Sequence, residues 1–457
     1  MAKIMDYRIV ISNNATMNER RAAVFLGKYI RLITGKKPET VTDDTVSEEL
    51  ELVIGKTKRE EREKVIFERS RERLWEYEIR TVGKKVYLTG LGIAPEEEVP
   101  YNSAYKLTDD GGYGTVLSAY RFVEDVLGFD FIYENYEDYK EDSGIEIPDG
   151  YTVSYTKEAL RAELPKLQEG TALYVVPSCQ SLNWNMCCLI FQTCSGKLVV
   201  VDGGHLKDAE HVLDILEYVA QGKKPVVTAW LFSHLHEDHY GVYKRLCDEP
   251  ALRERVTVEH FYSHLLPENF YRELSCEAGE FNMEPLHALK NSDKTVGARL
   301  HTVEKGEVIA VDELSFEVIH VPDMAYAEKM NMNDSSVVYK LTHDSGQTMM
   351  LLGDAEFVCS NDLTENARNK LKSDVVQVGH HGCGNVSEAC YHLIDAKVYL
   401  WQIGNRFWYS DSGEGLNTHN TGVIRTRNWI MQMGVKRENN YRDTNGILSL
   451  SLPLEIK

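Results

Sequence analysis

The segment that most constrains this chain is HLHEDH at positions 234–239, separated by Ser233 from the apolar run 226–232. Four metal-type side chains, His234, His236, Asp238 and His239, fall within six residues. Imidazole nitrogen and carboxylate oxygen suit zinc, manganese or iron. A short non-helical loop can turn alternate side chains toward one point. His234 and His236 can then serve one ion, and Asp238 and His239 a second, while Glu237 points outward. The competing reading is a polar surface loop with incidental histidines. The apolar run before it is what a strand shows when both faces of its sheet are covered.

This HxHxDH string resembles the signature of the metallo-β-lactamase superfamily, and the resemblance runs over residues 172–457. It implies an α/β fold of the αββα sandwich type, with a smaller α/β domain before it. By the same resemblance, Asp354 of LLGDAE is a metal-bridging aspartate and His380 of VGHHG the last metal histidine. Asp202 of VVVDGG matches an aspartate at the end of an early strand. Ligands that follow strands lie at one sheet edge, which is how distant residues converge. The implied metal set is His234, His236, Asp238, His239, Asp354 and His380, with Asp238 and Asp354 also catalytic. The superfamily has a further metal histidine, for which His264, His301 and His320 are candidates.

VVVDGG, the stretch NMNDSSVV at 331–338, LLGDAE, VGHHG and the closing YRDTNG are similar to the ComEC-type branch. That likeness implies a phosphoester or phosphodiester substrate. HLHEDH is richer in nitrogen than the same loop in many of that branch, which favours zinc over manganese. The expected cofactors are two divalent ions, about 3.5–4 Å apart, that activate a water. Asp202 either accepts a hydrogen bond from a ligand histidine or caps the Gly203-Gly204 turn. Asn333 or Asp334 takes a ligand or substrate role. His381 touches a substrate oxyanion or is structural, and His419 lies near the mouth of the site or is a plain loop residue. The aromatic segment 405–409 walls the pocket or packs on the core.

The 457 residues suggest two or three domains. Hydrophobic residues make up 43%, the composition of a globular protein. A net charge of -20 disfavours nucleic acid and anionic membranes. No apolar run approaches the roughly 20 residues that span a bilayer. Nine cysteines without a CxxC pair read as reduced thiols. A cytoplasmic chain acting on a small-molecule or glycan-linked substrate is expected. The sequence leaves its oligomeric state open.

Residues 1–156 read as an accessory domain of pattern β-α-β-β-β-α, joined through 157–171 to the rest. A helical stripe at Ala22, Phe25, Leu26, Tyr29, Ile30 and Ile33 follows a capping box at Thr16 and Glu19. The opening IVISNNATMNERRAAVFLGKYIRLITGKKP, LELVIGKT and GGYGTVLSAYRFVEDVLGFDF resemble the non-catalytic α/β domain of α-glucuronidases and β-hexosaminidases. That likeness implies a carbohydrate setting, and the aromatic-acidic stretch 133–139 could stack on sugars. Other readings of the whole chain are a lactonase-like hydrolase and a carbohydrate-binding protein with a vestigial metal site.

Overall fold

The computed structural model describes residues 2–93, 113–129, 141–180, 182, 184–278, 283–411, 415–419 and 422–457. The chain forms two compact units. One comprises Met1–Leu160 and Tyr409–His419, the other Arg161–Trp408 and Asn420–Lys457. The stretch 133–139 lies outside the described residues.

In the first unit Thr16 and Glu19 cap each other, starting the helix Met17–Thr34, and Gly35 ends it in the left-handed conformation (φ 72°). This helix and Gly114–Leu127 pack together on a six-stranded sheet. Its order is Thr40–Thr42, Arg8–Ile11, Glu51–Ile54, Lys85–Gly90, Tyr77–Val82, Thr152–Tyr155. The two edge strands are additions to the β-α-β-β-β-α pattern. Both are short and largely solvent-facing, so neither shows a clear apolar alternation. Tyr409–His419 is held in this unit by Asp411, which accepts from the Tyr120 hydroxyl (2.6 Å) and the Arg21 guanidinium (3.1 Å).

The Glu51 side chain is fully buried between two guanidiniums, Arg8 at 2.6 Å and Arg59 at 3.0 Å. Burial alone would raise its pKa. The Arg59 and Arg8 hydrogen bonds outweigh that and hold it below its ordinary 4.5. A carboxyl lowered in the folded state stabilises the fold above its unfolded pKa, and the effect fades as pH falls through the folded value. Glu51→Ala leaves the fully buried Arg59 without its carboxylate and Arg8 with only the exposed Glu48, and is expected to cost about 3–5 kcal/mol in urea unfolding at pH 7. The loss should shrink in acid, where wild-type Glu51 is itself protonated.

The second unit is built on two sheets. The first runs Arg299–Thr302, His260–Ser263, Val226–Leu231, Leu198–Asp202, Cys188–Gln192, Ala172–Val175, Leu448–Ser451. The second runs Val308–Val311, Leu314–His320, Val338–His343, Thr348–Leu351, Val375–Gln377, Val398–Trp401, Asn440–Arg442. Alternate residues of each strand meet in one core. Leu173, Val175, Phe191 and Val199 of the first sheet share it with Phe316, Val318, Leu341 and Met349 of the second. On the outer face of the first sheet, Val212 and Leu216 of Ala209–Val219 and Tyr243 of Glu237–Asp248 pack around Trp230. On the outer face of the second, Tyr391 of Glu388–Ile394 meets Tyr399. The layer order is therefore αββα. Each buried large apolar side chain contributes roughly 1.5–3 kcal/mol. No helix of the described residues is long and apolar enough to cross a membrane.

Candidate metal centre

Within each sheet, two neighbouring parallel strands deliver chemistry at their carboxyl ends. Asp202 closes Leu198–Asp202, and the 233–239 loop follows Val226–Leu231. Asp354 follows Thr348–Leu351, and Gly379–Gly382 follows Val375–Gln377. Parallel α/β sheets place their sites at such ends. The helix Glu237–Asp248 begins inside the motif, so Asp238 and His239 occupy its first turn. Gly241 is required there, because a Cβ would lie 2.3 Å from the Leu206 backbone nitrogen.

Among the described residues three groups of ligand-type atoms result, and two of them share Asp354 while the third joins Cys187, Asp202 and His239. Of the two that share it, one comprises Asp238, His239, Asp354 and His381; the other His234, His236 and Asp354. His239 Nε2 lies 3.2 Å from Asp354 Oδ1, and His381 Nε2 lies 3.3 Å from Asp238 Oδ2 and 3.5 Å from Asp354 Oδ2. His234 Nε2 and His236 Nδ1 are 3.0 Å apart. Two donors bound tetrahedrally to one zinc are separated by about 3.3 Å, given bond lengths near 2.0–2.1 Å. His239 Nε2, His381 Nε2 and Asp354 Oδ1 are buried without a hydrogen-bond partner. Orphaned buried donors and acceptors at that spacing fit a divalent ion.

The Nδ1 atoms of His234, His239 and His381 are occupied. His239 Nδ1 donates to Asp202 Oδ2 at 2.9 Å, and His381 Nδ1 to the Gln402 carbonyl at 2.7 Å. The Ser233 hydroxyl donates to Asp202 (2.9 Å) and faces His234 Nδ1 at 3.0 Å. Each Nδ1 partner leaves the Nε2 lone pair directed inward. Asp202 also accepts from the Ser233 backbone nitrogen at 2.8 Å.

Charge runs the other way at His239, where an ion has to displace the Nε2 proton. Burial pushes His234 well below its ordinary value. Burial would lower His239 too, but Asp354 and Asp202 outweigh it and raise that ring well above the usual histidine range. Burial would raise Asp238 and Asp354, and His239 beside them outweighs it and holds both far down.

His380 lies outside both groups. Its Nε2 is 3.8 Å from Asp354, while its Nδ1 turns to Glu356 at 2.7 Å. His380 and His381 are consecutive left-handed residues (φ 46° and 53°), which aim the two rings differently. Gly384 lets His380 approach, since a Cβ there would sit 2.5 Å from Nδ1. Glu356 also accepts from Asn333 (3.0 Å) and Asn331 (2.9 Å). Burial would raise Glu356, but His380 and these amides hold it at about 2. Asp334 accepts from the backbone of Val358 and Cys359 instead.

The three further histidine candidates are engaged elsewhere: His264 with the Val303 carbonyl (2.8 Å), His301 with His260 (3.0 Å), His320 with Asp362 (2.7 Å). His419 lies in Tyr409–His419, which groups with the first unit. Glu237 is half-exposed, facing His205. Sequence reading missed Glu356, Gln402 and Cys187. Cys187 faces Asp202 and His239, and burial pushes its thiol well above the usual range. Only Glu356 carried a signal, standing two residues after Asp354 in LLGDAE.

Two facing sheets, helices on both outer faces and a histidine-aspartate cluster at the strand ends decide the architecture. The second unit is an αββα sandwich, the layer order of the metallo-β-lactamase fold. No family model matches the chain. It is 25% identical over 251 residues to ComE operon protein 3 of Bacillus subtilis (strain 168), covering 50% of this chain and 29% of that protein. The chain thus spans under a third of that relative's length. Among solved structures it is similar to the metallo-β-lactamase fold protein YhfI of Bacillus subtilis (14% identity, 61% of this chain and 100% of that one, TM-score 0.36). It is also similar to unliganded yeast PDE1 (12%, 62% and 100%, TM-score 0.36). A third is CmlA, a diiron β-hydroxylase of Streptomyces venezuelae (12%, 75% and 61%, TM-score 0.40). Gly353 Cα passes close to Ser233; a Cβ there would lie 2.6 Å from the Ser233 Cβ.

Proposed function

We propose that this chain is a metal-dependent hydrolase that uses two divalent ions on a phosphoester or phosphodiester. The observation that carries the reading is Asp354, one buried carboxylate shared by two ligand groups. In this assignment Asp238, His239, Asp354 and His381 hold one ion, and His234, His236 and Asp354 the other. His381 takes the ligand place expected for His380. Four imidazoles in the set favour zinc over manganese. The phosphoester preference rests on the strings VVVDGG, NMNDSSVV, LLGDAE and VGHHG. The N-terminal pattern adds a sugar-linked substrate to that reading.

A bound ion pair supplies a water acidic enough to attack near neutral pH and offsets charge developing on the reacting centre. The chain's own residues prepare this. Asp202 and the Gln402 carbonyl hold the His239 and His381 rings by Nδ1, so that Nε2 is the nitrogen each presents to an ion. Asp354 brings negative charge between the two groups, which lets both fill without mutual repulsion dominating. Glu356 orients His380 at the rim, where the His380 side chain is 24% exposed against 0–2% for His234, His239 and His381.

The test is metal content by mass spectrometry beside hydrolysis of bis-p-nitrophenyl phosphate and p-nitrophenyl phosphorylcholine. Two zinc or manganese ions per chain are expected, with turnover abolished by a chelator and restored by the metal. Bound metal without phosphoester turnover would shift the reading to a lactonase-like hydrolase. A chain that takes up no metal would leave a carbohydrate-binding protein.

A further inference from the structure

Beside the metal centre stands an aromatic pair that the chemistry above leaves unused. Trp184 is 52% exposed. Its ring centroid lies 6.1 Å from that of Phe407. The buried Arg406 guanidinium stands 5.4 Å from the centroid of each ring. A lone exposed aromatic is ordinary, but this one is backed and held.

The bonds that hold it run to the ligand segments. Asn185, next to Trp184, accepts from the Gly404 backbone at 2.9 Å and sends its amide toward Cys383 Sγ at 3.8 Å, two residues past His381. Its carbonyl is 2.8 Å from His205 Nε2. Two residues further on, the Cys187 nitrogen donates to the Asp238 carbonyl at 3.0 Å. On the other strand end, the Gln402 carbonyl takes the His381 Nδ1 proton. Both segments that carry the pair, 184–187 and 402–407, are therefore bonded to metal-centre residues. An indole fixed in this way loses little further entropy when a ring stacks on it.

We propose that Trp184 and Phe407 form a platform at the rim of the metal centre that binds a flat-faced ring, a sugar or a nucleobase, carried by the substrate phosphate. Sugar rings and bases share the chemistry that matters here: an apolar face that stacks on indole, with polar groups at its edge. This proposal rests on the phosphoester reading above.

The experiment is calorimetric titration of the zinc-loaded protein with methyl phosphate, glucose 1-phosphate and adenosine 5'-monophosphate. At least one ring-bearing ester is expected to bind tenfold or more tighter than methyl phosphate, roughly what one stacked ring contributes. Trp184→Ala should erase that difference and leave methyl phosphate affinity and zinc content unchanged, while Trp184→Tyr retains most of it. Which ring ester gains tells the sugar from the base. Equal affinities in the wild type, or an equal loss for all three esters in Trp184→Ala, overturn the platform and leave the phosphoester reading standing. If none of the three binds while the protein holds its zinc, both proposals fall together.

Discussion

Asp354→Ala is expected to bind no more than one divalent ion per chain and to lose roughly a thousandfold or more in kcat/KM on a phosphodiester substrate. The carboxylate belongs to both ligand groups, so its removal takes one oxygen from each at once. It also removes the anion that sits 3.2 Å from His239 Nε2 and 3.5 Å from His381 Nε2. Those rings would keep Asp238, 3.3 Å from His381 Nε2, and Asp202, 2.9 Å from His239 Nδ1, as their remaining counter-charges. The fold itself should survive, because Asp354 makes little of its own packing: its backbone nitrogen donates to Ser336 Oγ at 3.1 Å, and alanine keeps that bond. Metal analysis beside circular dichroism checks this. Two ions retained with full turnover would sink the shared-carboxylate reading.

The second large effect separates adjacent histidines. His381→Ala should lose one ion and most activity, whereas His380→Ala should keep both ions and lose activity only in part. The difference lies in where each ring nitrogen points. His381 Nε2 is within 3.5 Å of both Asp238 and Asp354, while its other nitrogen is held by the Gln402 carbonyl. His380 Nδ1 is taken by Glu356, and its Nε2 is no closer than 3.8 Å to Asp354. Cobalt substitution gives the sharpest readout, since its visible absorption reports the ligand set of each ion. A spectrum and stoichiometry that change in His380→Ala and not in His381→Ala would reverse the assignment.

Local pattern made much of this molecule legible. The capping box at Thr16 and Glu19, the apolar stripe of Met17–Thr34 and the largely apolar strand Val226–Leu231 each declare themselves within a few residues. Hydrophobic periodicity is a short-range property, set by how one element meets its core. The HLHEDH loop is legible for a similar reason, because four ligand-type side chains in six residues have few other uses. The edge strands Thr40–Thr42 and Thr152–Tyr155 escaped because they are short and face solvent, where composition is unconstrained.

What sequence alone determined is the sandwich, the strand ends that carry its ligand-type residues, and the chemical class of those residues. Tertiary structure decided which residue of a neighbouring pair faces inward. The family resemblance put the metal role on His380, whereas the fold turns the His381 ring toward Asp238 and Asp354; two left-handed residues in succession and the partner of each Nδ1, Glu356 for His380 and the Gln402 carbonyl for His381, set the two rings apart. The pairing of Trp184 with Phe407, 223 positions apart, is likewise a product of packing. Orientation and long-range contact depend on the whole set of neighbours, and those neighbours are distant in the chain.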